Sequence, residues 1–175
     1  MASDTSKKRL EKMTSSQYAL LRSLTDVETL DARWLENAVG SMVRDRFALA
    51  QGFIKAARVL AKDKDSLVRR GAVSRAYYGA YHAARATFFA IKRHDQDNHG
   101  ALINEVDKLI GAEHGAGNRL NELRFLRDEA DYSPYPVPNL QTSYDPQRFE
   151  SIIRESIRHA DELIRLFRRH LRERR

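Results

Sequence analysis

Arg75, Tyr78, His82 and Arg85 stand at i, i+3, i+7 and i+10, a spacing that at 100° per residue puts all four on one side of a helix. A guanidinium can hold a phosphate bidentately, a phenol can donate to a phosphate oxygen or stack on a base, and an imidazole titrates near neutrality. These are the parts of an anion or RNA site. The same segment carries Tyr77, Tyr81, Ala84 and Phe88 on its other side, where aromatics at helical spacing read as packing against a neighbour. A second cluster follows at Arg124, Arg127, Asp131 and Tyr132, the first three sharing one helix face. Taken alone, Arg127 and Asp131 also make an i, i+4 ion pair worth a few tenths of a kcal/mol. If the two helices pack together, the clusters converge in one cleft.

Between them His99 opens a further helix, and the second cluster reads Arg-Asp-Glu-Ala-Asp-Tyr at 127 to 132. Together with the Tyr77-Tyr78 pair, these residues resemble the HEPN family (higher eukaryotes and prokaryotes nucleotide-binding) over roughly residues 35 to 170. Its members are small helical bundles with a Tyr-Tyr helix, a following histidine and a downstream arginine. On this resemblance and the two clusters, Arg127, His82 and His99 are the candidate catalytic residues. Arg75, Tyr78, Arg85, Arg124, Asp131 and Tyr132 are the candidate contacts to RNA or a nucleotide.

Nuclease members cleave RNA without a metal at a site assembled across a dimer, and carry an arginine followed shortly by a histidine. Here Arg127 is followed by Asp131-Tyr132, and the next histidine is His159. The chain is similar in this to an HEPN subgroup with an Asp-Tyr ending. Other arginine-then-histidine pairs occur at Arg75 and His82, Arg93 and His99, Arg154 and His159, and Arg165 and His170. Only the first lies in a chemically coherent stripe. His114, His159 and His170 read as surface residues.

The resemblance thus implies a homodimer and one of two activities. One is a metal-independent endoribonuclease toxin of a toxin-antitoxin or defence system. The other is a non-catalytic binding or antitoxin-like module that works with a nucleotidyltransferase partner. Neither needs a cofactor, and the sequence has no Gly-rich phosphate loop, no His-Glu-x-x-His and no acidic pair at metal spacing.

The elements that must position these residues are all helical. Leu35, Val39, Met42, Val43, Phe47, Ala50, Phe53, Ile54, Ala57 and Leu60 keep one helical period from Asp31 onward, with Trp34 as a core or staple residue near its start. A second helix runs from Ser66 to Lys92, and a third from His99 to Ile110 behind an Asn98 N-cap. A Gly-rich break at 111 to 117 precedes a fourth helix from Asn118 to Tyr132, with Leu120, Leu123, Leu126 and Ala130 inward. Pro134, Pro136 and Pro138 make 133 to 144 extended, and Asp145-Pro146 opens the last helix as N-cap and N1. The expected fold is an all-α, up-and-down bundle of about five helices spanning 31 to 175. Residues 1 to 30 form an N-terminal extension, partly disordered, in which Tyr18, Leu20, Leu21, Leu24, Val27 and Leu30 suggest a short accessory helix.

Composition bounds the rest. The 175 residues fit one domain with a core, with 42% hydrophobic and 31% charged residues and a mean hydropathy of −0.62. No apolar run approaches the roughly eighteen residues of a membrane span, and the first residues lack the apolar segment of a signal peptide, so a cytoplasmic location is expected. The chain has no cysteine, which removes disulfides, zinc-thiolate sites and thiol nucleophiles. A net charge of +7 and a pI near 9.8 favour an anionic partner, because cations that neutralise phosphates release counterions. Part of that excess crowds the C-terminus at Arg165, Arg168, Arg169, Arg172, Arg174 and Arg175, where cations also stabilise a helix end.

Overall fold

Two short polar side chains set the frame. Asp65 accepts the Leu67 N–H at 2.8 Å and Asn98 accepts the Ala101 N–H at 2.9 Å, each satisfying an orphan donor where a helix starts. The computed structural model describes residues 12–26, 32–133 and 146–174. Its helices are α1 (Ser15–Asp26), α2 (Ala32–Leu60), α3 (Ser66–Lys92), α4 (His99–Ile110), α5 (Ala116–Tyr132) and α6 (Pro146–Glu173). A 3-10 turn at Ala112–His114 links α4 to α5, and Gly115 closes it at φ 55°, a left-handed conformation that suits a residue without Cβ. No strand occurs among the described residues.

The bundle therefore has six helices rather than about five, the sixth being α1. Tyr18 carries α1 into a cluster with Leu35, Val39, Met42 and Phe89, and its hydroxyl donates to Glu36 at 3.1 Å. Val27, Leu30, Pro134, Pro136, Pro138 and Asp145, like residues 1–11, lie outside the described residues. Trp34 is a correction: it is 37% exposed, so it is not part of the buried core.

α3 is the central helix and packs against α2, α4, α5 and α6. Its sequence explains why. Ala72, Ala76, Ala80, Ala83, Ala84 and Ala86 are all fully buried, and small side chains on several faces let neighbouring helices approach closely. One close approach is at Gly79, where an added Cβ would lie 2.8 Å from Ile54 Cδ1 and 3.1 Å from the Ala50 carbonyl oxygen of α2. Gly79→Leu is accordingly expected to destabilise by about 1 to 3 kcal/mol through overpacking, read as a lower urea midpoint. The long last helix closes the core with Phe149, Ile153, Ala160, Ile164 and Phe167, each 2% exposed or less. Among the described residues no helix is long and apolar enough to cross a membrane.

Candidate functional site

α3 and α5 meet through Ala72, Val73 and Ala130 near one end of their contact and through Leu120 and Leu123 further along. This packing brings the two sequence clusters together. The Arg127 guanidinium carbon of α5 lies 5.6 Å from the centre of the Tyr77 ring and 5.8 Å from that of Tyr78, both on α3. It is also 5.8 Å from the ring of Tyr132. A cation over aromatic faces is attracted by the ring quadrupole, more strongly when desolvated, and the Arg127 side chain is only 12% exposed. Two carboxylates balance its charge, Asp128 at 3.0 Å and Asp131 at 3.8 Å. Asp131 is held in turn by the Ser74 hydroxyl of α3, which donates to it. Arg70 ties down the end of α5 by donating to the carbonyl oxygens of Ala130 (2.6 Å) and Ser133.

His99, the first residue of α4, completes the group. Its ring stacks on Tyr81 at 4.2 Å with the planes 9° apart, and its Nδ1 is hydrogen-bonded to the Tyr77 hydroxyl. Burial, aided by the positive charges of Arg124 and Arg127, holds the imidazole below its ordinary pKa of 6.5, so the ring is neutral at pH 7. Burial likewise pushes the Tyr77 phenol up, so it stays protonated. A neutral imidazole bonded through Nδ1 has two forms. When the phenol donates to Nδ1, Nε2 carries the ring proton; when Nδ1–H donates to the phenol oxygen, Nε2 is a free base.

Arg124 also stands here: its Nη1 comes within 3.7 Å of a Cβ built on Gly100, in the first turn of α4. Unlike Arg127, it makes no hydrogen bond or ion pair among the described residues. One arginine is thus embedded and neutralised, while the other is in no ion pair among the described residues and stands beside a neutral histidine.

The structure takes two expected residues out of this group, Arg85 and His82, and sets a third, Arg75, at its edge. Arg85 is engaged by Asp95, donating from Nε at 3.0 Å and from Nη2 to the other carboxylate oxygen. It therefore does not offer an open fork to a phosphate. His82 stacks on Phe53 of α2, 5.3 Å away with the planes 4° apart, and burial, with Arg85 and Arg46 nearby, lowers its pKa to about 4. It is a neutral ring packed in an aromatic group. Arg75 is exposed and lies over the same Phe53 ring at 5.6 Å, which also meets Tyr78 at 5.7 Å.

Sequence reasoning treated Phe53 only as core and missed Arg46 and Asp95. Arg46 donates to Asp95 at 2.9 Å with its side chain 6% exposed. The available signal was a charged residue on the inward stripe of α2 between Met42, Val43 and Phe47. Among the described residues no three His, Asp or Glu side chains are grouped to hold a metal ion.

In comparisons with known proteins, the family model described as HEPN domain matches residues 43–170. No curated protein and no solved structure matches the chain. The matched span runs from within α2 to the last turn of α6 and includes His99, Arg124, Arg127 and every ring packed around them. With residues 43–170 of 175 matched, the chain belongs to the HEPN domain family.

Proposed function

We propose that this HEPN protein binds RNA or a nucleotide where α3, α4 and α5 meet. The observation that carries the reading is Arg124, a guanidinium in no ion pair among the described residues, beside the neutral imidazole of His99. In this reading Arg124 and the exposed Arg75 take phosphate oxygens, while Tyr78 and Tyr132, aligned by Arg127, offer phenol groups and ring faces to the sugar and base. Asp131 orients Arg127. Arg85 and His82 are left out, the first because Asp95 neutralises it and the second because it is stacked away on Phe53.

The same groups suit metal-independent RNA cleavage. His99 takes the proton of a ribose 2′-hydroxyl as its oxygen attacks the adjacent phosphorus, and the arginines bind the charge that develops on phosphate. The bond from phosphorus to the 5′-oxygen breaks and that oxygen takes a proton from water, so the products are a cyclic phosphate end and a 5′-hydroxyl end. In this reading His99 takes the part of the histidine that is missing after Arg127. The family membership suggests a cytoplasmic homodimer in a toxin-antitoxin or defence setting.

A second reading is a non-catalytic member with the Asp-Tyr ending, paired with a nucleotidyltransferase. One observation favours it: Arg127 is already compensated by Asp128 and Asp131 and has little charge to give a transition state.

The test incubates wild type, Arg124→Ala, Arg127→Ala and His170→Ala with structured RNA at low salt in EDTA, reading binding and cleavage together. Arg124→Ala is expected to weaken binding about 10- to 100-fold, the range for a lost hydrogen-bonded charge. Arg127→Ala weakens it too, and His170→Ala leaves it unchanged. Equal binding by all four proteins overturns the site. Binding without cleavage selects the second reading.

A further inference from the structure

The RNA site leaves a second surface of the molecule unused. Val43, Phe47 and Ala48 of α2 and Leu171 of α6 line a groove of about 400 Å³ whose rim carries Arg44, Arg168 and Arg172. An adjoining hollow of about 420 Å³ shares Val43 and Leu171 and reaches toward Glu36. The two make one trough along α2 from Glu36 to Gln51, about 22 Å long at the helical rise per residue. The three rim arginines make no hydrogen bond or ion pair among the described residues; Arg168 only covers the Phe47 ring at 5.1 Å.

We propose that this trough receives an acidic amphipathic helix from a partner protein. Its apolar floor and cationic rim complement a helix that is apolar on one face and carries Asp or Glu along its flanks, and its length suits anchors at i, i+3 or i+4, and i+7. The other occupants fit less well. Single-stranded RNA wants exposed aromatic platforms, whereas the floor is aliphatic and its one aromatic, Phe47, is 5% exposed. A second copy docked by the same face would set these arginines against their own equivalents. The chain's own first residues carry Lys7, Lys8 and Arg9 against Asp4 and Glu11, a basic balance that the rim repels.

The experiment measures fluorescence anisotropy of a labelled designed peptide of about fifteen residues, with leucines on one face and glutamates on the flanks. A peptide of the same composition, scrambled to destroy the helical period, is the control. Binding to the full chain is expected to be about tenfold tighter for the periodic peptide, and Arg44→Glu with Arg172→Glu should weaken it by about tenfold or more. Both positions are exposed, and circular dichroism verifies that the fold is kept. Ala48→Lys, also at an exposed position, separates shape from charge: it adds a cation but fills the groove, so binding should fall.

Equal binding of the two peptides overturns the proposal, as does tighter binding by Ala48→Lys, because plain charge attraction then suffices. A short single-stranded RNA that loses as much affinity as the peptide in the double arginine variant assigns the trough to nucleic acid instead. A dimer mass in light scattering that Ala48→Lys reduces to a monomer assigns it to a second copy.

Discussion

Asp95→Ala is expected to lower the free energy of unfolding by roughly 3 to 5 kcal/mol, the cost of removing one partner from a largely buried ion pair. Asp95 bridges two arginines that come from different helices, Arg46 of α2 and Arg85 of α3, with side-chain exposures of 6% and 20%. It also accepts the Gln96 N–H at 2.9 Å. Without it, two guanidiniums are left close together with no counter-charge, one over Phe89 at 5.3 Å and the other over Tyr81 at 5.8 Å. The effect depends on pH in a defined direction. Burial alone would raise the Asp95 pKa, but the hydrogen bonds from Arg85 and Arg46 outweigh it and hold the carboxyl below its ordinary 3.8. A depressed folded-state pKa contributes stability above the unfolded value that is lost as pH falls through the folded one. Urea titrations at pH 7 and in strong acid should therefore show a large gap between wild type and Asp95→Ala that narrows on acidification. A gap of under about 1 kcal/mol at pH 7 would mean that the triad is no more than an ordinary surface pair.

Under the cleavage reading proposed above, His99→Ala is expected to slow RNA cleavage by about 10² to 10⁴, the usual contribution of a placed general base, while RNA binding changes little. The pH dependence is sharper still. Because burial, Arg124 and Arg127 keep the imidazole below 6.5, the free base already predominates at neutral pH. The rate should climb through the lowered pKa and be level by pH 7. Removing a positive neighbour raises that pKa, so in Arg124→Ala the ascending limb moves toward 6.5 at saturating RNA. NMR titration of the His99 ring gives the same comparison without any turnover. An unshifted His99 pKa in wild type, or no rise in Arg124→Ala, would separate the histidine from the arginines and remove it as the base.

The helices were largely legible because periodicity reports which face of a helix turns inward. Leu35, Val39, Met42, Ala50 and Ile54 are all buried as their spacing requires, α3 runs between the expected residues, and Asn98 caps α4. What an inward face touches is a different question, which depends on which helices become neighbours. Arg127 shows the difference. Its i, i+4 relation to Asp131 is visible in the chain, but Asp128 is the nearer carboxylate, and the rings of Tyr77 and Tyr78 reach it only through the packing of α3 on α5. Arg46 and Asp95 are 49 residues apart and carry no pattern that pairs them. Trp34 stands on the same helix as these buried residues, yet it is 37% exposed.

α6 supplies Phe149, Ile153, Ile164 and Phe167 to clusters that also contain α3 residues, yet it follows every candidate site residue in the chain. During synthesis, Arg75 through Tyr132 have left the peptidyl-transferase centre before the helix that seals the core has been translated. At cellular elongation rates, the 28 residues of α6 take roughly one to six seconds to add. Over that interval the nascent chain carries every candidate site residue on an unfinished hydrophobic core. The scaffold that holds these residues is complete only once α6 has docked on α3.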